Sequence, residues 1–302
     1  VAGVAGLMLT VNPRLRPDQV QSILRGTATA LPGCGTDCGP GLLNAYGAVN
    51  TARSRSTGPC SANPASWTSC RIDSMGQYVN ASGAVVESVF AYGHLWQFDG
   101  NGNPLGVAKN LRGIPRYANG PCAYAPAGQP CVIDSVTILD YPGAGYVESV
   151  TAYGRGWNFD LNGNLWPGGT MALSSVPRFA SGPCAYASSP ATCRFDTRNL
   201  IDAPEWGGLF ESITAYGRYW IFNAGGALVE TNLLTNVARY ASGPCAYRPS
   251  GQLCTFDSRE LRRLPDGSQI ETVTAYGLYF EWLNGAPTAN HGFALTSMPR
   301  MR

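Results

Sequence analysis

Carboxylates and guanidinium groups recur through this chain at matching places. Glu87, Glu148, Glu211 and Glu271 come with Asp73, Asp134, Asp196 and Asp257, and with Arg116, Arg178, Arg239 and Arg300, one of each per stretch of 61 or 62 residues. Paired carboxylates are the machinery of glycoside hydrolysis, in which two acids flank one scissile bond. A catalytic pair is needed once, in one asymmetric cleft. Four copies at equivalent places read instead as an ion pair or turn contact that each unit needs for itself.

The other chemistry-bearing patterns are weaker. Asp99-Gly-Asn-Gly-Asn103 and Asp160-Leu-Asn-Gly-Asn164 open like calcium loops, but the closing bidentate Glu is missing. The corresponding third and fourth units, Asn223-Ala-Gly-Gly226 and Leu283-Asn-Gly285, keep the glycine and lose the carboxylate, so turn chemistry accounts for all four. His94 and His291 are the only histidines and sit in no nucleophile motif. No metal and no cofactor are expected. The repeated aromatics Tyr92, Trp96, Tyr153, Trp157, Tyr216, Trp220, Tyr276 and Phe280 suit the core of small units better than stacking platforms. Trp67, Trp166 and Trp206 fall outside that repeated position and are the candidates for ligand contact.

Ten cysteines form five local pairs, Cys34/Cys38, Cys60/Cys70, Cys122/Cys131, Cys184/Cys193 and Cys245/Cys254. The wider pairs lack a zinc knuckle and there are only two histidines to help them, so disulfides are the reading, and with them an oxidising compartment. The formal net charge is +2, with a single lysine, Lys109, and scattered arginines. No basic stripe for nucleic acid results. The apolar run Val1–Val11 is too short to span a bilayer and lacks a signal peptide's basic start.

The elements that must position these residues follow from the repeat. Gly-Pro-Cys begins at 58, 120, 182 and 243, which divides the chain into units 58–119, 120–181, 182–242 and 243–302. Each carries a β-branched segment of the type Glu148-Ser-Val-Thr-Ala-Tyr-Gly154, which predicts a strand. Trp157-Asn-Phe-Asp-Leu-Asn-Gly163 predicts a second strand entering a turn. A strand near Ile-Asp-Ser and a weaker one near Val176-Pro-Arg-Phe179 complete three or four antiparallel strands per unit. The fold class is therefore mainly β, four tandem repeats that either close like propeller blades or string out as disulfide-stapled mini-domains.

Ahead of the repeats, Val1–Thr10 predicts an apolar helix stopped by Asn12-Pro13, and Pro17-Asp18 opens a second helix that runs to Gly26. Three segments here, Val1-Ala-Gly-Val-Ala-Gly-Leu7, Pro17-Asp-Gln-Val-Gln-Ser-Ile-Leu24 and Gly39-Pro-Gly-Leu-Leu-Asn-Ala45, resemble in order and spacing the C-terminal end of a subtilase catalytic domain. Cys34-Gly-Thr-Asp-Cys38 resembles the disulfide-bearing branch of secreted bacterial subtilases. The resemblance covers residues 1–52, with 53–57 as a link. It implies a nucleophile segment Gly-Thr-Ser-Met-Ala-x-Pro-His just before Val1, and it supplies no catalytic Ser, His or Asp within the chain.

The function expected is that of the C-terminal portion of a secreted, extracellular subtilisin-like serine endopeptidase, inactive alone, whose repeats bind substrate or a surface. Its partners would be the N-terminal part of the protease domain and a polysaccharide, cell-surface or protein substrate. The alternative is a non-enzymatic extracellular repeat protein that binds glycans or proteins. A tail separated from the subtilase sheet would leave its apolar helix exposed.

Overall fold

The computed structural model describes residues 1–302 except 13–14, 16, 30–39, 55–57, 63–69, 81, 142–144, 161, 204–207, 265 and 302. The predicted helices form as α1 (Ala2–Val11) and α2 (Pro17–Gly26), followed by α3 (Ala45–Ser54). Met8, Leu15, Ile23, Ala48 and Ala52 bury against one another in a small cluster of their own, apart from the β core. Cys34 and Cys38 lie outside the described residues.

Four antiparallel sheets follow. The first runs β1 (Ser74–Val79), β2 (Val85–Ala91), β3 (His94–Asp99) and β4 (Lys109–Asn110). The second runs β5 (Ser135–Tyr141), β6 (Gly145–Ala152), β7 (Arg155–Asp160) and β8 (Leu165–Ala172). The third has β9 (Thr197–Ala203), β10 (Gly208–Ala215), β11 (Arg218–Asn223) and β12 (Leu228–Leu233). The fourth has β13 (Ser258–Arg263), β14 (Gln269–Ala275), β15 (Leu278–Leu283) and β16 (Ala286–Pro287), with β17 (Phe293–Ala294) also on β15. Strand order within each sheet is sequential, as hairpins dictate.

The first strands of the sheets neighbour one another in a cycle, β1 with β5, β5 with β9, β9 with β13 and β13 with β1. Side chains stitch them together. Val136 N–H donates to Ser74 Oγ at 3.0 Å, Thr137 Oγ1 donates to the Arg198 carbonyl at 2.6 Å, and Gln77 N–H donates to Glu260 Oε1 at 2.8 Å. The repeats therefore close into a four-bladed propeller, and the string of separate mini-domains is set aside. Four disulfides are formed among the described residues, Cys60–Cys70, Cys122–Cys131, Cys184–Cys193 and Cys245–Cys254.

One predicted strand is corrected. Val176-Pro-Arg-Phe179 is a cap followed by a short helical turn, Pro177–Ala180, because Pro177 has no N–H for a ladder but suits the first helical position. The fourth strand lies earlier, at Leu165–Ala172. The hairpin between the second and third strands of each blade also has a conformation that β propensity does not suggest. Tyr92, Tyr153, Tyr216 and Tyr276 adopt left-handed backbone, with φ of 48°, 48°, 49° and 54°, each followed by a glycine of positive φ. This Tyr-Gly pair makes a two-residue turn of the I′ kind, whose twist matches the flanking strands. Each tyrosine hydroxyl accepts a backbone N–H from the residue after the second cysteine, as Tyr153 does from Val132 at 2.7 Å and Tyr92 from Arg71 at 2.8 Å. The hydroxyl thus ties a strained turn to the disulfide loop.

Hydrophobic cores straddle the sequence units. Leu111 and Tyr117, from the end of the first unit, pack with Ile133, Val150, Trp157 and Phe159 of the second. At the ring's closure, Tyr279, Leu295 and Met301 of the last unit complete the core of the first, beside Ile72, Val89 and Trp96. The Gly of Gly-Pro-Cys is required by this junction, since a Cβ on Gly120 would sit 2.6 Å from the Arg116 carbonyl.

Candidate functional site

The repeated charges fall into two separate rings. Arg116 Nε meets Glu148 Oε2 at 2.6 Å, Arg178 meets Glu211 at 2.7 Å, Arg239 meets Glu271 at 2.8 Å and Arg300 meets Glu87 at 2.9 Å. These are ion pairs, but each joins one unit to the next, which corrects the expectation that every unit keeps its pair to itself. The arginine sits on the tail that completes the neighbour's core, so it can reach only the neighbour's second strand.

The aspartates gather at one end of the central axis. Asp73, Asp134, Asp196 and Asp257 line a small cavity of about 120 Å³ with Arg71 and Arg194. Arg71 pairs with Asp257 at 3.0 Å and Arg194 with Asp134 at 3.3 Å. Burial raises all four carboxyls, Asp73 to about 7, Asp134 to about 6, Asp196 to about 8 and Asp257 to about 6. Asp196 rises furthest because Asp134 and Asp257 add repulsion after burial.

The other end of the axis opens into a wider funnel of about 350 Å³, bounded by the inner strands. Its wall includes Gln77, Ile138, Leu200 and Leu261, which occupy equivalent places in the four units. The adjoining places hold Gly76, Thr137, Asn199 and Glu260. Glu260 is pushed up to about 7 by burial, against the Gln77 N–H and Arg262. A third cavity, of about 450 Å³, lies at the seam between the last blade and the first, with Met75, Glu87, Thr272 and Arg300 on its wall.

The remaining candidates fall elsewhere. Trp96, Trp157, Trp220 and Phe280 are buried, as core residues should be. Trp166 is half-buried on β8 and is not part of the funnel wall; Trp67 and Trp206 lie outside the described residues. His94 and His291 pair through Nδ1 with the backbone carbonyls of Tyr92 and Glu281. Asp99 Oδ1 accepts the N–H groups of Asn101 and Asn103, and Asp160 Oδ1 accepts that of Asn164, the turn chemistry anticipated for these loops. The seam cavity was missed in the sequence, although aligning Ser74-Met75 with Thr197-Arg198 and Ser258-Arg259 exposes its distinguishing residue.

No protein-family model and no curated protein sequence matches the chain. Among solved structures it is similar to the hemopexin fold protein CP4 from cow pea, at 11% identity and a TM-score of 0.46, over 70% of this chain and 85% of that one. A GH43 glycoside hydrolase aligns at 12% identity and a TM-score of 0.36, over 80% of this chain and 43% of its own. The Cps50 (Swd1) beta-propeller domain of Myceliophteria thermophila aligns at 15% identity and a TM-score of 0.28, over 69% and 64% of the two chains.

Proposed function

We propose that this chain is the C-terminal portion of an exported subtilisin-like serine endopeptidase, in which the four-bladed propeller binds the protein substrate or the surface on which the enzyme works. The observation that carries the binding role is the contrast between a framework repeated four times and a funnel whose equivalent positions differ. Ion pairs, disulfides, Tyr-Gly turns and buried aromatics recur, whereas the funnel presents Gln77, Ile138, Leu200 and Leu261 from equivalent places. The adjoining places, Gly76, Thr137, Asn199 and Glu260, differ in all four units; a site that needs only to stand does not require such variety, whereas a site that recognises something asymmetric does.

The link to a protease is supported by the three ordered motifs of residues 1–45 and by the character of α1. Leu7 and Leu9 are exposed on an otherwise apolar helix that buries only Met8, as suits a helix whose natural neighbours belong to another part of the parent protein. The four disulfides suit an extracellular setting, and no described helix is long and apolar enough to cross a membrane.

The test is retention of the disulfide-bonded full chain on fibrous proteins, cell walls and insoluble polysaccharides, with Ile138→Glu as the funnel variant. Selective retention that the variant abolishes is the expected result. Retention on none of the materials, or retention indifferent to the funnel, overturns the binding role. Hydrolysis of casein by the chain alone, sensitive to serine-protease inhibitors, would overturn its assignment as an inactive portion. The sequence immediately before Val1 separates the protease from a non-enzymatic repeat protein, since only the former requires Gly-Thr-Ser-Met-Ala-x-Pro-His there.

A further inference from the structure

The ring of Arg–Glu pairs is fourfold in placement but not in composition. In the third and fourth blades each glutamate is held by two arginines. Arg198 Nε donates to Glu211 Oε1 at 2.6 Å while Arg178 takes Oε2, and Arg259 Nε donates to Glu271 Oε1 at 2.6 Å while Arg239 takes Oε2. The second arginine also reaches back to the preceding blade, where Arg198 Nη1 donates to Ser149 Oγ and Arg259 Nη1 to Ser212 Oγ, at 2.5 and 2.6 Å. One carboxylate oxygen and one hydroxyl thus form a two-point seat for a guanidinium.

The second and first blades have no such arginine, because Val136 and Met75 stand at its position. In the second blade the tyrosine hydroxyl of Tyr117 donates to Glu148 Oε1 instead. In the first blade the residue equivalent to Tyr117 is Met301, and nothing replaces it: Glu87 Oε1 is buried without a hydrogen-bond partner. Glu87 is 4% exposed. The residue equivalent to Ser149 and Ser212 is Thr272 of the last blade. Glu87, Met75 and Thr272 all line the seam cavity of about 450 Å³.

We propose that this seam cavity recognises an arginine side chain of a bound peptide, whose guanidinium pairs with Glu87 Oε1 and Thr272 Oγ1 in the seat that the third and fourth blades fill with their own arginines. The proposal rests on the binding role given above and specifies a ligand class for that module. Asp99 and Glu281 join Glu87 on the wall, beside Glu260, whose carboxyl burial raises to about 7 so that it carries part of a charge near neutral pH, against the guanidiniums of Arg262 and Arg300. Both cations are engaged, Arg300 with Glu87 Oε2 at 2.9 Å and Arg262 with Gln77 Oε1. The electrostatic contrast among the glutamates agrees. Burial raises Glu87 despite Arg300, whereas for Glu211 and Glu271 burial is outweighed by their paired arginines and both are lowered. A guanidinium is favoured over an ammonium because the equivalent seats of the third and fourth blades each hold one through Nε and Nη1 together.

The experiment is a calorimetric titration of the disulfide-bonded full chain with acetyl-Gly-Arg-Gly-amide, beside the citrulline and lysine versions of the same peptide. The arginine peptide should bind, and citrulline, isosteric but uncharged, should bind roughly tenfold or more weakly. Met75→Arg supplies the seat with an internal guanidinium, as in the third and fourth blades, and should abolish peptide binding while the propeller stays folded. Thr272→Val and Glu87→Gln should each weaken binding. Should Met75→Arg fail to fold, the citrulline comparison and Thr272→Val decide alone. Equal affinity for citrulline, unchanged affinity in folded Met75→Arg, or no binding up to about 10 mM peptide, where even millimolar affinity registers, overturns the proposal. If the chain is retained on a surface through its funnel and yet ignores the arginine peptide, the binding module stands and the arginine seat falls.

Discussion

The Arg300 guanidinium meets the Glu87 carboxylate at 2.9 Å, joining the last turn of the propeller to the second strand of its first blade. The same pairing unites every other pair of neighbours, but only this one spans the whole repeat region. It is the latch of the ring, reinforced by Leu295 and Met301 in the first blade's core.

Arg300→Ala should destabilise the propeller by roughly 3 kcal/mol, because it leaves Glu87 buried with neither oxygen paired. Arg178→Ala should cost less, since Arg198 still holds Glu211. Denaturant unfolding monitored by tryptophan fluorescence checks the order, and equal losses for the two variants would contradict the latch.

Replacing Tyr153 by Phe removes the acceptor of the Val132 N–H and frees the turn from the disulfide loop. The expected loss is about 1–2 kcal/mol. Amide exchange at Val132 should accelerate in the variant while exchange in β6 and β7 stays slow, a local signature that a general loss of stability would not produce.

The axial aspartates make stability depend on pH in a direction opposite to most carboxylates. Their pKa values are raised in the folded state, to between about 6 and about 8, above an ordinary value of 3.8. Folding therefore retains protons that the unfolded chain releases, so this contribution is complete below pH 3.8 and is lost as pH rises through the folded values. Glu211 and Glu271 act the other way, since their lowered values give stability that disappears as acid protonates them. Thermal unfolding should show maximum stability in mild acid and a decline toward pH 9. Asp196→Asn should flatten that decline; an unchanged pH profile in the variant would remove Asp196 from the account.

Much of this architecture was legible because repetition amplifies weak signals. One stretch such as Glu148-Ser-Val-Thr-Ala-Tyr is a plausible strand; four at equal spacing, each after a cysteine pair, define blades. The partners of the repeated charges were not legible, because Arg116 lies 29 residues after Glu87 and 32 before Glu148, and separation cannot choose between them. The Tyr-Gly turn was hidden for another reason: tyrosine favours strands, and its left-handed backbone goes with a tight β6–β7 hairpin closure and a hydroxyl bond to a distant loop. The seam's character was written in two departures, Met75 at the place of Arg198 and Arg259 and Met301 at the place of Tyr117 and Tyr240, which acquire meaning only once the ring places Glu87 beside them.

At the junction of the ring, a Cβ on Gly58 would lie 2.5 Å from the carbonyl oxygen of Arg300. The chain therefore enters and leaves the propeller at one doorway. A module built that way can be spliced into a surface loop of a host protein without prising the host apart, and its own termini can be relocated to an exposed turn such as Gly251-Gln252 with the old ends joined by a short bridge.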